Sequence, residues 1–517
     1  MRAIRHNQNV STSSAPETAA RTSAAATDAE RSPAQPSPTS RLAGWNWPLL
    51  LLVGLCAMTV LGAVVYPTYA NYDSVYTLLW GRELLDGALP SFDAYRAPTQ
   101  HPLWVALGVL LAPLGQEADR LIVLLTMASF VVLVHALYRL GRTSFTSLVG
   151  VVAGVILCTR FDFPFLAARG YLDIPFLAIV VWAGVLEAER PRRGAGVLVL
   201  LLCAGLLRPE AWLLAGLYWL WLFPGWSWRD RVRGALLVGA APIVWMATDY
   251  IVTGDPLFSQ NHTSGLAEEL GRSRGISDVP PATVSFLKAL VKLPVAVAGL
   301  VGFALAAWLV PTRLRVPFAL FIGGVMTFVA VGLAGLSVIN RYLLVPSLMV
   351  MLFAAVALAG FTMLREGRTR RVWAIAAALA VLGGITWTAL RVDVRRLDNE
   401  LSFRGNSRES LAELLDNPKV RAAVRCGPVT TPNHKLIPDV RWILDLPEER
   451  VIARSDAESA AGVTTGVAIL SASRKVFLRQ GLDPEDDSVE DTLRNLPPAG
   501  YERIAVTPFY SAYARCA

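Results

Sequence analysis

The chain has 517 residues, of which 54% are hydrophobic and only 17% are charged, and its formal net charge is +8. Typical soluble domains have about 45–50% apolar and about 25% charged residues, and a soluble chain of this length needs more charge to cover its surface. The composition therefore excludes an ordinary cytosolic enzyme, a disordered scaffold and a disulfide-rich secreted module, and it indicates a polytopic membrane protein. Because Lys and Arg occur in short clusters between apolar runs, they indicate membrane orientation, and no nucleic-acid partner is expected.

The first 44 residues are rich in Ser, Thr, Ala and Pro and show no apolar period. Such a segment does not bury a core, so 1–44 is predicted to be a disordered cytoplasmic tail. It is also too long for the n-region of a secretory signal peptide. The first membrane span is predicted over 48–66, with Trp45 and Trp47 at its inner edge.

Eleven apolar runs predict about eleven transmembrane helices in an all-α membrane domain that covers 45–390. The run Pro102–Gly115 is short, has a proline near each end and is predicted not to cross. With this assignment and a cytoplasmic N-terminus, every inner loop is basic, as cytoplasmic loops should be. The later predicted spans are 120–138, 146–159, 172–187, 195–207, 211–223, 234–252, 294–310, 317–335, 342–361 and 372–390. The predicted inner loops are Arg139–Arg142, Glu189–Arg193, Arg229–Arg233, Arg313–Arg315 and Arg365–Arg371.

The same topology places a long first loop (67–119) and the C-terminal tail (391–517) on the outer side. The tail is soluble in character and is predicted to form a small extracytoplasmic α/β domain. Helices are predicted over Asn406–Arg425 and Ser488–Leu493, and strands over Val467–Leu470 and Ile504–Val506.

Two of the five cysteines, Cys426 and Cys516, bracket this domain. In an oxidising compartment they either form a disulfide or remain two free thiols, and the sequence leaves both alternatives open. No CxxC motif or His/Cys cluster indicates a metal site.

Ionisable residues concentrate at the outer span ends and in the outer loops, where charges near a membrane are usually functional. Asp73 follows the first span and begins a predicted amphipathic helix over Asp73–Leu85 on the outer interface. It is either a catalytic acid or a charge that stabilises the helix N-terminus. Further along the first loop, Arg96 and His101 lie in a dense polar stretch that directly precedes an apolar run.

The remaining candidates lie farther along the outer side. Arginine–aspartate pairs in the loop over Arg160–Asp173 are either structural, or they receive a phosphate and orient a hydroxyl. Arg208-Pro209-Glu210 separates two short apolar runs, where an ion pair needs a partner or a water-lined cavity. Arg341 either binds an anionic headgroup or extends to the interface. The candidate substrate-binding residues are Arg96, His101, Asp162, Arg169, Asp173, Glu210, His262, Arg341 and Tyr342.

This arrangement resembles the GT-C superfamily of integral membrane glycosyltransferases, with an architecture like that of protein mannosyltransferases and aminoarabinose transferases. The matching features are an acid soon after the first span, a helix in a long first outer loop and a second acidic outer loop. His101-Pro102-Leu103 looks like the His/Pro motif that ends that first loop, and Asn340–Pro346 looks like the Arg-Tyr-rich start of a late span. Many relatives carry two adjacent acids in the first loop, whereas Asp73 is single here and is the sole obvious base.

The resemblance implies an inverting hexosyl or pentosyl transfer from a polyprenyl-phosphate donor to an envelope glycan, lipid or protein outside the plasma membrane. Asp73 is then the general base, and Arg341 faces the leaving phosphate, with Arg96, Arg169 and His101 as further candidates. Asp162 or Asp173 is expected to bind the acceptor. No cofactor is firmly implied, and a divalent metal is left open although no residue pattern indicates one.

Three other functions remain open at this stage. One is a ligase of glycan polymers with the same architecture. Another is a transporter or flippase of an envelope precursor, which the break at Arg208-Pro209-Glu210 favours, although the lack of an internal repeat weighs against it. The last is a scaffold that binds its partner through the C-terminal domain.

Overall fold

The computed structural model describes residues 47–66, 68–269, 271–391, 394–481 and 489–516. The predicted tail over 1–44 lies outside the described residues. The first three quarters of the chain contain sixteen described helices. These are α1 (Trp47–Val65), α2 (Tyr72–Leu85), α3 (Pro102–Leu111), α4 (Ala118–Ser144), α5 (Ser147–Cys158), α6 (Asp162–Ala168), α7 (Asp173–Glu189), α8 (Ala195–Leu207), α9 (Glu210–Leu222), α10 (Trp228–Thr253), α11 (Phe258–Glu269), α12 (Val279–Val291), α13 (Leu293–Leu309), α14 (Pro311–Leu333), α15 (Leu344–Ala359) and α16 (Arg368–Arg391).

Six helical segments among the described residues are long and apolar enough to cross a membrane. The number rises to eight if two sharply bent pairs, α5 with α6 and α12 with α13, each count as one span. The chain is therefore a largely helical membrane protein, but the predicted count of about eleven spans is not confirmed. Helices α8 and α9, which the prediction counted separately, have only 13 residues each, against about 20 for a full crossing.

The ambiguous run Pro102–Gly115 forms the short helix α3 and then a 3-10 turn over Ala112–Glu117, in which Gly115 has a φ of 63°. The ten residues of α3 extend about 15 Å at 1.5 Å per residue. This is about half the thickness of a bilayer's hydrocarbon core. That the run does not cross stays a prediction: α3 alone is short for a crossing, but the helical segment Pro102–Ser144 as a whole is long enough.

Helix α2 carries Asp73 and is confirmed over nearly the predicted range. Asn71 caps it, because its Oδ1 accepts the backbone N–H groups of Asp73 and Ser74 at 2.9 and 3.3 Å. The eight residues Ser74–Gly81 are all buried, so this part of α2 does not have the exposed polar face of the predicted amphipathic helix, and its position at the membrane interface stays a prediction. Helix α2 is enclosed, because α3 and a helix of the C-terminal part pack against it.

The C-terminal part contains a five-stranded sheet with the strand order β2-β1-β3-β5-β4. Strands β2, β1 and β3 are parallel, and β5 is antiparallel to both β3 and β4. The strands are β1 (Val429–Thr431), β2 (Val451–Ala453), β3 (Gly466–Ser471), β4 (Glu502–Val506) and β5 (Tyr510–Arg515). The described helices are α17 (Val394–Asp416), α18 (Pro418–Ala423), α19 (Ile437–Leu444), α20 (Ala457–Ala460), α21 (Arg474–Gln480) and α22 (Val489–Arg494).

Both strands predicted from the sequence are confirmed as β3 and β4. The helix predicted over Asn406–Arg425 is wrong in its bounds. Helix α17 begins earlier, at Val394, and it ends at Asp416, before α18 begins. The end of α17 has a local cause. Pro418 begins the next helix, α18, and the Asn417 side chain caps α18 by accepting the backbone N–H of Lys419 at 3.0 Å.

A disulfide joins Cys426, just before β1, to Cys516, just after β5, with 5.2 Å between the two Cα atoms. Of the two alternatives that the sequence left open, the structure has the bridged one. The bond closes a loop with a sequence separation of 90, so it connects the two ends of the sheet-bearing part. Cys56, Cys158 and Cys203 are free.

Candidate active site

Three acidic side chains lie at the beginnings of three different helices. Asp73 is in the first turn of α2, Asp173 begins α7 and Glu210 begins α9. Carboxylates are favoured at these positions, because the helix dipole places partial positive charge there. Two arginines, Arg208 and Arg341, connect the three acids through ion pairs. We name these five residues the acid–arginine cluster.

The Asp173 carboxylate lies at the centre of the cluster and is fully buried. Its Oδ1 accepts a hydrogen bond from Arg341 Nε at 3.1 Å, and its Oδ2 accepts one from Arg341 Nη2 at 2.7 Å. Arg208 Nη1 also donates to Asp173 Oδ1. Such two-pronged arginine–carboxylate pairs fix the orientation of the guanidinium as well as its position. Asp173 therefore holds both arginines in place.

Arg208 is in turn held by Glu210. Arg208 Nε and Nη2 lie 2.8 and 2.7 Å from Glu210 Oε1. The other oxygen, Glu210 Oε2, is buried and has no hydrogen-bond partner among the described residues. Because an unsatisfied buried acceptor is costly, this oxygen is a candidate to receive a hydroxyl of a bound molecule.

Asp73 is the exposed acid of the cluster. Its Oδ2 lies 3.6 Å from Arg341 Nη1, and about a quarter of its side chain is exposed (26%). Burial raises the pKa of the Asp73 carboxyl, the charge of Arg341 opposes this rise, and the nearby Asp173 adds to it. Since the side chain of Asn71 caps α2, Asp73 is not needed for capping. The alternative that Asp73 only stabilises the helix terminus through the helix dipole stays open.

Aromatic rings and one histidine surround the cluster. The guanidinium of Arg341 lies 5.0 Å from the Tyr171 ring centroid, and that of Arg208 lies 5.2 Å from the Tyr342 ring centroid. Burial and the two arginine charges lower the pKa of His101 to about 3. His101 is therefore a neutral imidazole at this position. It is suited to hydrogen bonding, and its role beside the leaving phosphate stays a prediction.

Two of the predicted substrate-binding residues, Arg96 and His262, lie outside the acid–arginine cluster. Arg96 Nη2 pairs with Glu269 Oε1 at 2.5 Å, and its Nη1 lies 3.5 Å from His434 Nδ1. His262 lies in α11, and its Nε2 is 3.1 Å from the backbone oxygen of Ala97. Both residues therefore connect the loop between α2 and α3 with neighbouring segments, and a role in substrate binding stays a prediction.

Arg169 and Asp162 also lie outside the cluster. Arg169 Nη1 donates to the backbone oxygen of Tyr69 at 2.8 Å, and the Arg169 backbone oxygen accepts the N–H of Asn71 at 2.9 Å. Burial, with Arg404 and Arg408 nearby, lowers the pKa of Arg169 to about 10. Asp162 begins α6. Arg169 thus supports the residue that caps α2, whereas substrate contact by either residue stays a prediction.

Arg208 was predicted only as a partner of Glu210, but in the structure it also pairs with Asp173 and is the second arginine of the cluster. Its position directly before Pro209, between two apolar helices, was the available signal. Among the described residues, no group of three or more His, Cys, Asp or Glu side chains is arranged to hold a metal ion.

An apolar groove of about 990 Å³ runs between α13 and α16. Val301, Trp308, Leu358, Val372 and Trp373 are among its lining residues, and Arg368 lies at one end of α16. No residue of the acid–arginine cluster lines it. The apolar side chains that line the groove suit contact with lipid chains.

No protein-family model matches the sequence, and no curated protein sequence matches it. Two solved structures are similar in three dimensions. ArnT from Cupriavidus metallidurans, bound to undecaprenyl phosphate, aligns over 90% of this chain and 98% of its own, with a TM-score of 0.53 and 14% identity. The Archaeoglobus fulgidus oligosaccharyltransferase in its apo form aligns over 83% of this chain and 70% of its own, with a TM-score of 0.51 and 12% identity. Both are GT-C glycosyltransferases, and the chain has a GT-C-like fold, as the sequence resemblance predicted.

Proposed function

We propose that the protein is an inverting glycosyltransferase in the plasma membrane. It moves a sugar from a polyprenyl-phosphate donor to an envelope glycan, lipid or protein on the outer face. The observation that carries the proposal is the pairing of a partly exposed carboxylate with an arginine, since Asp73 Oδ2 lies 3.6 Å from Arg341 Nη1. The fold shared with an ArnT structure that holds undecaprenyl phosphate supports the choice of donor.

In the proposed reaction, Asp73 takes the proton from an acceptor hydroxyl. The hydroxyl oxygen then forms a bond to the anomeric carbon, on the face opposite to the leaving group. The bond between that carbon and the phosphate oxygen breaks, and its electron pair stays on the phosphate. The configuration inverts once, because there is one displacement. A positioned general base of this kind contributes about 10²–10⁴-fold to the rate.

Arg341 is the residue suited to the departing phosphate. Both arginines pair with two carboxylates, but the Arg341 side chain is 27% exposed and that of Arg208 only 7%. Positive charge fixed where negative charge develops lowers the barrier, because nothing has to reorganise during the reaction. Arg208 therefore completes the framework around Asp173, and the exposed part of Arg341 is proposed to face the donor phosphate. The unpaired Glu210 Oε2 and the Tyr342 hydroxyl are candidates to bind sugar hydroxyls.

The transporter alternative rested on the break at Arg208-Pro209-Glu210. In the structure, Arg208 pairs with Asp173 and Glu210, and Asp173 pairs with Arg341, which faces Asp73. Arg208 and Glu210 thus belong to the same cluster as Asp73, the proposed base. One enzymatic site accounts for all five residues, and a separate transport site is not needed to explain them.

The experiment is to incubate the purified protein with a panel of polyprenyl-phosphate hexoses and pentoses, together with an envelope extract that supplies acceptor hydroxyls, and to quantify released polyprenyl phosphate by mass spectrometry. We expect one donor to be consumed by the wild type and not by Asp73→Asn. If no donor is consumed, while protein in vesicles moves a labelled polyprenyl-phosphate sugar across the bilayer, the transporter replaces the enzyme.

A further inference from the structure

One segment of the C-terminal part, His434–Leu446, runs along helix α2 from its first turn to its last. It consists of a 3-10 turn over His434–Leu436, helix α19 and two following residues. At the first turn of α2, the His434 ring packs edge-on against Tyr72 with 5.7 Å between centroids. The Tyr72 hydroxyl also donates to the backbone oxygen of Arg96 at 2.9 Å, and Arg96 contacts His434.

At the last turn of α2, the contact is a buried ion pair. Arg441 is only 1% exposed, and its Nη2 lies 2.5 Å from Glu83 Oε1. Arg441 Nη1 also donates to Ser91 Oγ at 3.2 Å, and Glu83 Oε2 accepts the backbone N–H of Ser91 at 2.8 Å. The pair is thus hydrogen-bonded on both sides, which is what makes a buried charge tolerable.

A second ion pair stands beside the first. Arg82 Nη1 lies 2.5 Å from Asp445 Oδ1, and the Arg82 guanidinium lies 5.1 Å from the ring centroid of the buried Trp442. Arg82 and Glu83 are consecutive residues of α2. The last turn of α2 is therefore held by two ion pairs, one to α19 and one to the residue that follows α19. Side chains of the C-terminal part therefore contact α2 at both ends.

The ion pairs at the last turn can affect the position of Asp73, because both belong to one continuous helix, α2. Ten residues separate Asp73 from Glu83, which corresponds to about 15 Å along the axis. Near the last turn, α2 is packed backbone to backbone against α3, since a Cβ atom on Gly81 would lie 2.3 Å from the carbonyl carbon of Gly108. Because a single helix is stiff over this length, a tilt of α2 about this contact also moves its first turn.

We propose that Arg441 is a positioning residue, which acts through Glu83 to fix the last turn of α2 and thereby holds Asp73 beside Arg341. This inference rests on the proposed function, in which Asp73 is the base. The C-terminal part is then a working component of the active site, and not an independent binding module.

A positioning role of Arg441 predicts that its loss changes the pKa of Asp73, whereas a purely structural role does not. The groups that face Asp73 are Arg341, Asp173 and, farther away, Arg208, together with the rings of Tyr72 and Tyr171. Arg341 is the principal cation that opposes the effect of burial on the pKa of Asp73. If α2 shifts away from Arg341, the pKa of Asp73 rises, and the acidic limb of the kcat profile moves to higher pH.

The test compares Arg441→Met with Arg421→Met in the full-length protein. Arg421 is a matched control, because it pairs with Asp416 at 2.6 Å on the exposed surface of the same C-terminal part. For Arg441→Met we expect kcat to fall by about 10²-fold, the loss typical of a small misplacement of a catalytic group. We also expect little change in the KM of the donor and an acidic limb at higher pH. Arg421→Met should match the wild type in all three.

The proposal is overturned if Arg441→Met lowers kcat with the acidic limb unmoved, because that result reports only a smaller folded fraction. If Arg441→Met does not fold, Glu83→Gln replaces it, since this change removes the charge of the partner and keeps its shape. Hydrogen exchange of the α2 amides gives a readout that does not depend on activity. If the wild type consumes no donor, the proposed function fails. Separately, unchanged hydrogen exchange of the α2 amides in Arg441→Met would refute the role of Arg441 in fixing α2.

Discussion

Asp173 and Arg341 form a two-pronged pair, with Nε to Oδ1 at 3.1 Å and Nη2 to Oδ2 at 2.7 Å. Asp173 begins α7 and Arg341 lies in the 3-10 turn that precedes α15, so the pair joins two helix beginnings that are 168 residues apart in sequence. Two of the nitrogens of Arg341 are committed to Asp173, and Nη1 faces Asp73. The geometry leaves Arg341 little rotational freedom, as a fixed electrostatic group in a catalytic site requires.

Asp73→Asn should lower sugar transfer by about 10²–10⁴-fold, because an amide does not accept the proton of the acceptor hydroxyl. The protein should fold and express as the wild type does, because the Asn71 side chain caps α2. Turnover measured with a consumed donor, together with the melting temperature, checks both statements. Asp416→Asn, a change at an exposed surface pair, is the control, and retained turnover in Asp73→Asn would remove Asp73 from the mechanism.

Arg341→Lys should weaken use of the donor more than use of the acceptor. Lysine keeps the positive charge but loses the planar fork that Asp173 orients, so the exchange is not conservative at this position. We expect the KM of the donor to rise and kcat to fall, with the KM of the acceptor nearly constant. Unchanged dependence on donor concentration would place the phosphate elsewhere.

The rate should depend on pH through Asp73. Because burial raises the pKa of Asp73 above its ordinary value of 3.8, and because only the ionised carboxylate accepts a proton, kcat should rise as the pH increases through the raised pKa. His101 and His434 both have a pKa lowered to about 3, so neither adds a limb near the usual histidine value of about 6.5. Profiles of kcat against pH for the wild type and for His434→Gln check this assignment, and a limb that disappears in His434→Gln would contradict it.

Much of the acid–arginine cluster was predictable, because Asp73, Asp173, Glu210 and Arg341 all stand where an apolar run begins on the predicted outer side. Their convergence was not predictable, because it depends on how the helices pack. Nothing local in the sequence says that one carboxylate is shared by Arg208 and Arg341. Even when each bent pair counts as one span, the predicted spans on α7, α8 and α9 stay unconfirmed, because these helices have only 17, 13 and 13 residues. Hydropathy records an apolar run and not its path through the bilayer.

Loss of the disulfide should destabilise the C-terminal part. Closing a loop of this length is worth about 2–5 kcal/mol, so Cys516→Ser should lower the melting temperature of the purified protein. Cys56→Ser, which changes a free cysteine, is the control. An equal melting temperature in Cys516→Ser and the wild type would show that the bond contributes nothing.

The membrane orientation can be read from reporter fusions. Fusions after Arg142, Arg193 and Arg371 should report a cytoplasmic location, because each of these residues ends a predicted basic inner loop. A fusion at the C-terminus should report the outer side. An outer location at any of the three arginines would overturn the topology, and with it the proposed side of the reaction.

The contact of Arg441 with Glu83 was beyond sequence reasoning, because the two residues are 358 positions apart. A charged residue in a short amphipathic helix is ordinarily assigned to the surface. Its burial depends on a partner supplied by another part of the chain. The same applies to α2, whose apolar face suggested a membrane surface but is covered by protein.

Gly81 and Gly108 also constrain how this chain is able to vary. A Cβ atom at Gly108 would lie 2.2 Å from the backbone oxygen of Thr77, as close as the one at Gly81 would lie to Gly108. Neither position accepts even alanine unless α2 and α3 separate. Random mutagenesis with selection for activity should therefore return glycine at both sites, and a drug that wedges these two helices apart would displace Asp73 without ever touching it.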